Sequence, residues 1–189
     1  LSLPDDSGKM PKEIKMPDFS PFIQRNYTRA DYGSEDMRQG FTLDIWFELK
    51  SDKSGQVLID NRVAHGQGIA LQTTGKGTVE IVLNDGRTEN RWDCDPGLFE
   101  KKKLHHLTVI VDGGPKIITF IVDGMLCDGG DYRQFGWGRF NPDYRGVSGM
   151  ENFRIGPSLM GKIKSLRMYD RALLTTEAIG NYRYGLSKP

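Results

Sequence analysis

The sequence predicts an all-β protein, a two-sheet antiparallel jelly roll or β-sandwich with one short helix at its C-terminal end. Three observations carry this reading. Phe41 to Leu49 (FTLDIWFEL) alternates apolar Phe41, Leu43, Ile45, Phe47 and Leu49 with Thr42, Asp44, Trp46 and Glu48, the period of a strand with one buried face. Several further β-type runs are joined by turns too short for anything but antiparallel pairing. The spacing that would place a crossover helix between strands is missing, which argues against a parallel sheet.

Taken in order, the elements read as follows. Residues 1–17 contain Pro4, Pro11 and Pro17 with little periodicity, so they read as a linker or an extended lead-in, ahead of a single domain over residues 18–189. After Phe41–Leu49 come short runs at Gln56–Ile59 and Gly68–Gln72. Thr78–Leu83 and Arg87–Trp92 flank Asn84-Asp85-Gly86, residues that tolerate positive φ in a tight hairpin. Leu107–Val111 and Ile117–Val122 flank Asp112-Gly113-Gly114-Pro115, and Asp123-Gly124 turns the chain again toward Met125–Cys127. Residues 128–149 are glycine-rich and aromatic without a strand period, hence a long loop of the functional or mobile kind. Strands resume at Asn152–Ile155 and Lys162–Tyr169. The closing helix spans Thr176 to Tyr184, with Thr175 as its cap, Glu177 at its positive end and Gly185 as its stop. Ala178, Ile179 and Tyr182 share one face, which should dock on the sandwich.

Composition narrows the function classes. The 189 residues are 37% hydrophobic and 27% charged, enough to build a core. A formal net charge of +1 supplies no field to attract nucleic acid or an anionic membrane, and Lys101-Lys102-Lys103 reads as a solvated loop. No apolar run approaches the ~20 residues of a membrane-spanning helix. The chain opens on Leu1 with no signal-peptide pattern, as expected of a processed protein or a part of a larger one. Whether Cys94 and Cys127 are bridged stays open, because sequence does not establish how near they come.

Three segments together carry a family resemblance. FTLDIWFEL resembles the FT-x-x-x-W strand of laminin G-like domains in the concanavalin A-like lectin/glucanase superfamily, of the type found in bacterial secreted carbohydrate-active proteins. Leu104 to Gly124 (LHHLTVIVDGGPKIITFIVDG) is similar to that family's HH strand, hairpin and DG turn. Gly161 to Tyr182 resembles its closing strand and helix. The resemblance implies a laminin G-like sandwich and a secreted, periplasmic or cell-surface location. It further implies a non-catalytic, lectin-like role on a polysaccharide or glycan, accessory to a glycoside hydrolase, sulfatase or sialidase-like enzyme. The family's acidic motif ahead of FT-x-x-x-W, which can help hold calcium, is replaced here by Tyr27 to Met37.

The same superfamily houses glucanases, so the carboxylates need weighing. Retaining glycosidases of this architecture carry an E-x-D-x-E strand, and their chemistry needs two carboxyls about 5 Å apart. Neither E-x-D-x-E nor E-x-D-x-x-E occurs here. Asp44 and Glu48 share a strand face but stand roughly 13 Å apart along an extended backbone, and read as surface polar residues. No catalytic residue is assigned, although a pair assembled from distant strands stays open as a third reading. His105 and His106, as strand neighbours, face opposite sides and cannot jointly ligate one ion. One should pack and hydrogen-bond inside, the other near a sheet face. No cofactor is expected. A structural calcium stays open: Asp93 and Asp95 could offer oxygens, two carboxylates are too few for an ion that takes six to eight ligands, and backbone carbonyls would have to supply the rest.

The candidate ligand residues lie in the aromatic loop and beside it: Tyr132, Arg133, Trp137, Arg139 and Tyr144, with Trp92 from a hairpin strand. Sugar C–H faces pack on aromatic rings, and sugar hydroxyls need fixed polar partners. Two alternatives stand beside this. The loop's aromatics, Phe135 and Phe140 included, can instead form a small core that plugs the end of the sandwich, and the whole domain can be a scaffold that binds no sugar. Trp46, on the polar face of its strand, is expected under the helix or the N-terminal segment.

Overall fold

The computed structural model describes residues 2–3, 10–15 and 40–187, so the Tyr27–Met37 departure from the family pattern lies outside the described residues. Among the described residues the elements run in order β1 (Ser2–Leu3), β2 (Glu13–Lys15), β3 (Gly40–Leu49), β4 (Val57–Asp60), β5 (Gly68–Thr73), β6 (Val79–Asn84), β7 (Glu89–Asp93), β8 (Leu104–Asp112), β9 (Ile117–Val122), β10 (Met125–Leu126), β11 (Gly138–Arg139), β12 (Asn152–Ile155), β13 (Gly161–Tyr169) and α1 (Thr175–Leu186). They form two antiparallel sheets. One is seven-stranded, in the order β1-β13-β3-β8-β9-β10 with β11 also on β9; the other is six-stranded, in the order β2-β12-β4-β5-β6-β7. This is the two-layer sandwich that the alternating strands predict.

Two departures concern elements too short to carry a period. Within residues 1–17, β1 pairs with β13 and β2 pairs with β12, so the expected lead-in supplies an edge strand to each sheet, where prolines are tolerated. Inside the long loop, Gly138 and Arg139 pair with Ile118 and Ile117 of β9.

The core lies between the layers. Phe41, Leu43, Ile45 and Phe47 of β3 meet Leu58, Ile69, Leu71, Ile81, Leu83 and Phe153 from the opposite sheet, and each large side chain buried this way is worth about 1.5–3 kcal/mol. Cys94 and Cys127 are free thiols. Burial pushes Cys127 up to about 11 and Cys94 further up, so both stay protonated and unreactive at neutral pH.

A second apolar cluster, Ile110, Ile121, Ala172, Leu173 and Ala178, lies on the other side of the seven-stranded sheet. The segment leading into α1 is pinned there: Thr42 Oγ1 donates to the Arg171 carbonyl (2.9 Å) and accepts from Leu173 N–H (3.0 Å). Leu174, not Thr175, is the capping residue. Its side chain has no acceptor, so Glu177 Oε2 takes the Leu174 N–H at 2.8 Å instead. Gly185 does not stop the helix. It sits inside it, because an added Cβ there would stand 2.4 Å from the Trp46 ring; a bare backbone is what lets α1 lie on that indole. Trp46 is accordingly buried under the helix, as its polar-face position suggested.

Candidate functional site

The long loop divides into an inner and an outer half. Its inner half is locked to β7 through Trp92. That indole donates from Nε1 to the Gly136 carbonyl (3.2 Å) and carries the Arg133 guanidinium over its ring at 4.4 Å. Gly138 backs onto the same indole so closely that a Cβ would stand 2.2 Å from it. Arg133 also donates to Asp93 Oδ1 (2.9 Å), the Asp93 carbonyl (2.6 Å) and Asp95 Oδ1 (3.1 Å). The two carboxylates considered for calcium therefore close on a guanidinium and do not fit a metal. Among the described residues, no three His, Cys, Asp or Glu side chains gather where a metal ion could be held.

Tyr144 also belongs to the inner half. It is 2% exposed, stacks on Phe140 at 5.9 Å and donates its hydroxyl to the Leu83 carbonyl at 2.7 Å. Burial raises its pKa well above the ordinary phenol value. The ring faces the core and presents no surface to a ligand. The hairpin below is held by Asp85, whose fully covered carboxylate accepts from the backbone N–H groups of Arg87 (2.9 Å), Thr88 (2.8 Å) and Arg145 (3.1 Å) and from the Arg87 guanidinium (3.0 Å). Burial alone would push this acid up; the donors outweigh it and hold it at about 2.

The outer half faces solvent. Tyr132 is 73% exposed and Phe135 49%. Phe135 stacks on the half-buried Trp137 at 5.0 Å, and the exposed Arg139 lies with its guanidinium 5.7 Å from the Trp137 ring centre. Trp137 and Arg139 flank Gly138, and alternation along an extended chain sends both away from the Trp92 contact. The result is an aromatic ledge with a cation at one end, on a backbone held by β9. Of the sequence candidates, Tyr132, Trp137 and Arg139 thus stand at the surface, while Trp92, Arg133 and Tyr144 anchor the loop beneath them.

Two groupings escaped the sequence reading. On the outer face of the six-stranded sheet runs a lattice of ions. Asp60 accepts from Arg154 (2.7 Å) and Arg62 (2.9 Å), Arg62 reaches Gln72 (3.3 Å), Gln72 donates to Glu80 (2.8 Å), and Arg91 joins Glu80 (2.9 Å) to Glu89 (2.7 Å). At its β4 end an open recess of about 430 Å³ is lined by Asp60, Arg62, Val63, Gly66, Met150 and Arg154. Pairing of arginines with acids on neighbouring strands is a cross-strand relation, invisible without the register.

The other grouping corrects an expectation. Asp44, read as a surface residue, is 0% exposed. On the outer face of the seven-stranded sheet its Oδ2 accepts from Asn181 (3.0 Å) and Thr108 (3.4 Å) and lies 3.1 Å from His106 Nε2, while Oδ1 faces Arg167 at 3.6 Å. The His106 ring is not aimed along the line to Asp44, so the contact is one of proximity without a hydrogen bond. His106 stacks with Trp46 (4.8 Å) and Tyr182 (5.7 Å) under α1. His105 points the other way: Nδ1 donates to Asp123 at 2.7 Å and Nε2 accepts from Glu100 N–H at 2.9 Å. Asp123, against the cost of its burial, is held below the usual carboxylate range by His105 and the His106 amide. Both histidines are structural. Glu48 bonds Lys162 at 2.9 Å, and Asp44 and Glu48 do not converge.

Comparison with known proteins bears on this geometry. No curated protein matches the chain. Among solved structures, the CBM40 domain of the Ruminococcus gnavus IT-sialidase superposes with a TM-score of 0.60 at 15% identity, over 91% of this chain and 97% of that one. The same domain bound to α2,3-sialyllactose gives 0.57 at 18% identity, over 75% and 82%. The binding domain of botulinum neurotoxin DC, in complex with rat synaptotagmin II, gives 0.58 at 12% identity, over 76% of this chain and 35% of that one. At such identities these likenesses concern the fold. A laminin G-type family model, described as the concanavalin A-like lectin/glucanases superfamily, matches residues 24–179, and with the sandwich it describes in place the chain belongs to that superfamily.

Proposed function

We propose that the chain is a non-catalytic, lectin-like module that holds a glycan on the ledge formed by Tyr132, Phe135, Trp137 and Arg139. The observation that carries the reading is the exposure of a stacked Phe135–Trp137 pair on a loop whose other half is packed shut. Exposed aromatic rings on a fixed backbone are costly to leave wet and are what the C–H faces of a sugar pack against. The likeness to a module bound to sialyllactose supports the class of ligand. The finer reading is an accessory role beside a secreted or periplasmic glycoside hydrolase, sulfatase or sialidase-like enzyme. The lack of an E-x-D-x-E strand and the separate commitments of Asp44 and Glu48 favour binding over hydrolysis.

A glycan array followed by titration tests this. Trp137→Ala should weaken the best glycan about tenfold or more, the scale of losing a central aromatic anchor. A second reading, a scaffold without sugar affinity, draws on the inner half of the loop, where Trp92, Arg133 and Tyr144 serve packing. Retention of no glycan, with lost stability of a parent enzyme when this segment is deleted, would favour the scaffold. Turnover of any glycan would instead revive the hydrolase reading.

A further inference from the structure

Seven arginines have a carboxylate within ion-pair reach: Arg62 and Arg154 with Asp60, Arg87 with Asp85, Arg91 with Glu80 and Glu89, Arg133 with Asp93 and Asp95, Arg167 with Asp44, and Arg171 with Glu177. Arg139 has none among the described residues. Its contact is the Trp137 ring, and it is exposed. On a surface where most arginines are neutralised, this guanidinium is left open beside the exposed stack of the loop.

Its placement is not that of a free side chain on a floppy loop. Gly138 is pressed on Trp92, and Gly138 and Arg139 are paired in register with Ile118 and Ile117. The neighbours of Gly138 therefore project outward together from a backbone fixed on both sides. Asp131 belongs to the loop's first turn beside Tyr132, where Tyr132 N–H bonds the Gly129 carbonyl.

A stacked aromatic pair with an open guanidinium over one ring, carried on a fixed backbone, is matched by a sugar ring that carries a carboxylate. The sugar's C–H face packs on the exposed side of the Phe135–Trp137 stack, and the planar carboxylate accepts two parallel N–H bonds from the fork of Arg139. We propose that the ligand of the ledge is a carboxylated sugar residue, of the sialic or uronic acid type. The inference rests on the ledge being the glycan site and adds the charge of the ligand.

The test uses titration of the chain with α2,3-sialyllactose and trigalacturonate, each against its neutral counterpart, lactose and galactotriose. At least one carboxylated sugar should bind about tenfold or more tighter than its counterpart, the scale of a charge-assisted hydrogen-bond pair. Raising salt should weaken the acidic ligand and leave the neutral one nearly unchanged. Arg139→Gln should erase the preference, and Arg139→Lys should restore part of it, since the charge returns without the fork. Trp137→Ala should weaken acidic and neutral sugars alike. Equal binding of acidic and neutral sugars, or a preference untouched in Arg139→Gln, overturns the inference and leaves the lectin reading standing. Stronger binding of a sulfated than a carboxylated glycan also overturns it. Binding of no sugar removes both.

Discussion

On the outer face of the seven-stranded sheet, Asp44, Trp46, His106 and Thr108 lie under α1 and are at most 6% exposed. On the outer face of the six-stranded sheet, Arg62, Gln72, Glu80 and Arg91 keep contact with solvent and with one another. Both faces carry charges at alternate strand positions, and both are knit by side-chain pairs. Ionic contacts under a helix are few, shielded and dependent on every member. Ionic contacts in water are many, screened and replaceable. The covered face gives the C-terminal helix its structural role: α1 roofs polar strand positions that a bare sandwich would leave wet.

The largest expected effect breaks the covered face. Asp44→Ala leaves Asn181 without its acceptor and Arg167 without its counter-ion, and opens a void beside the stacked His106. Removing one partner of a buried ionic group costs about 3–5 kcal/mol, so the midpoint in urea should fall sharply while the variant's slope stays that of wild type. A cost below about 1 kcal/mol would mean that the face is wet in solution and the contrast is unsound.

Asp85 sharpens the comparison, since its carboxylate is covered yet is held chiefly by backbone N–H groups. Its folded pKa, about 2, lies below the ordinary value of 3.8. The associated stability is therefore fully present above about pH 4 and is lost as pH falls through 2. The difference is worth about 2 kcal/mol. Wild type should lose that much between pH 5 and pH 1 relative to Asp85→Asn, followed by thermal melting at each pH. Parallel curves for the two proteins would show that the hairpin does not depend on the ionised acid.

Two glycines of α1 test how tightly the roof sits. Gly185→Ala drives a methyl into the Trp46 indole, whereas Gly180 has nothing within 4 Å of its would-be Cβ. Overpacking of a well-filled contact costs about 1–3 kcal/mol, against which alanine returns up to about 1 kcal/mol of helix propensity. Gly185→Ala should lower stability and Gly180→Ala should raise it, by about 0.5–1 kcal/mol in the second case, with Tm moving in the same direction. A rise for both would place α1 off the sheet.

How much of this could be read beforehand depends on which partner a residue needs. The β3 alternation placed Phe41, Leu43, Ile45 and Phe47 in the core because burial on one face has a period the sequence prints. The same alternation misled at Asp44, since a polar residue under a roof and one in water occupy the same strand positions. What separates them is Asn181 and Tyr182, more than 130 residues away. The hairpin at Asp123-Gly124 was legible because both residues take positive φ, 48° and 76°, and that is local chemistry. For the loop, composition announced aromatics near a surface. It could not say that Trp92 and Arg133 would turn inward while Trp137 and Arg139 turned outward. That division follows from Gly138 pressing on Trp92, a contact across 46 positions.

The smallest expected effect lies on the open lattice. Arg91 bridges Glu80 and Glu89 with its guanidinium about half exposed. Burial lowers and the Glu89 contact raises its affinity for the proton, with Glu89 dominant, yet arginine is charged at any working pH and the shift has no consequence for stability. Exposed pairs of this kind contribute about 0.2–1 kcal/mol, less as salt rises. Arg91→Ala should therefore cost at most about 1 kcal/mol in low salt. A double-mutant cycle with Glu80→Ala should return a coupling of a few tenths, vanishing by ~1 M salt. A coupling that persists in high salt would mean that the lattice is shielded as the Asp44 cluster is, and that a ligand or partner surface rests against this sheet in solution.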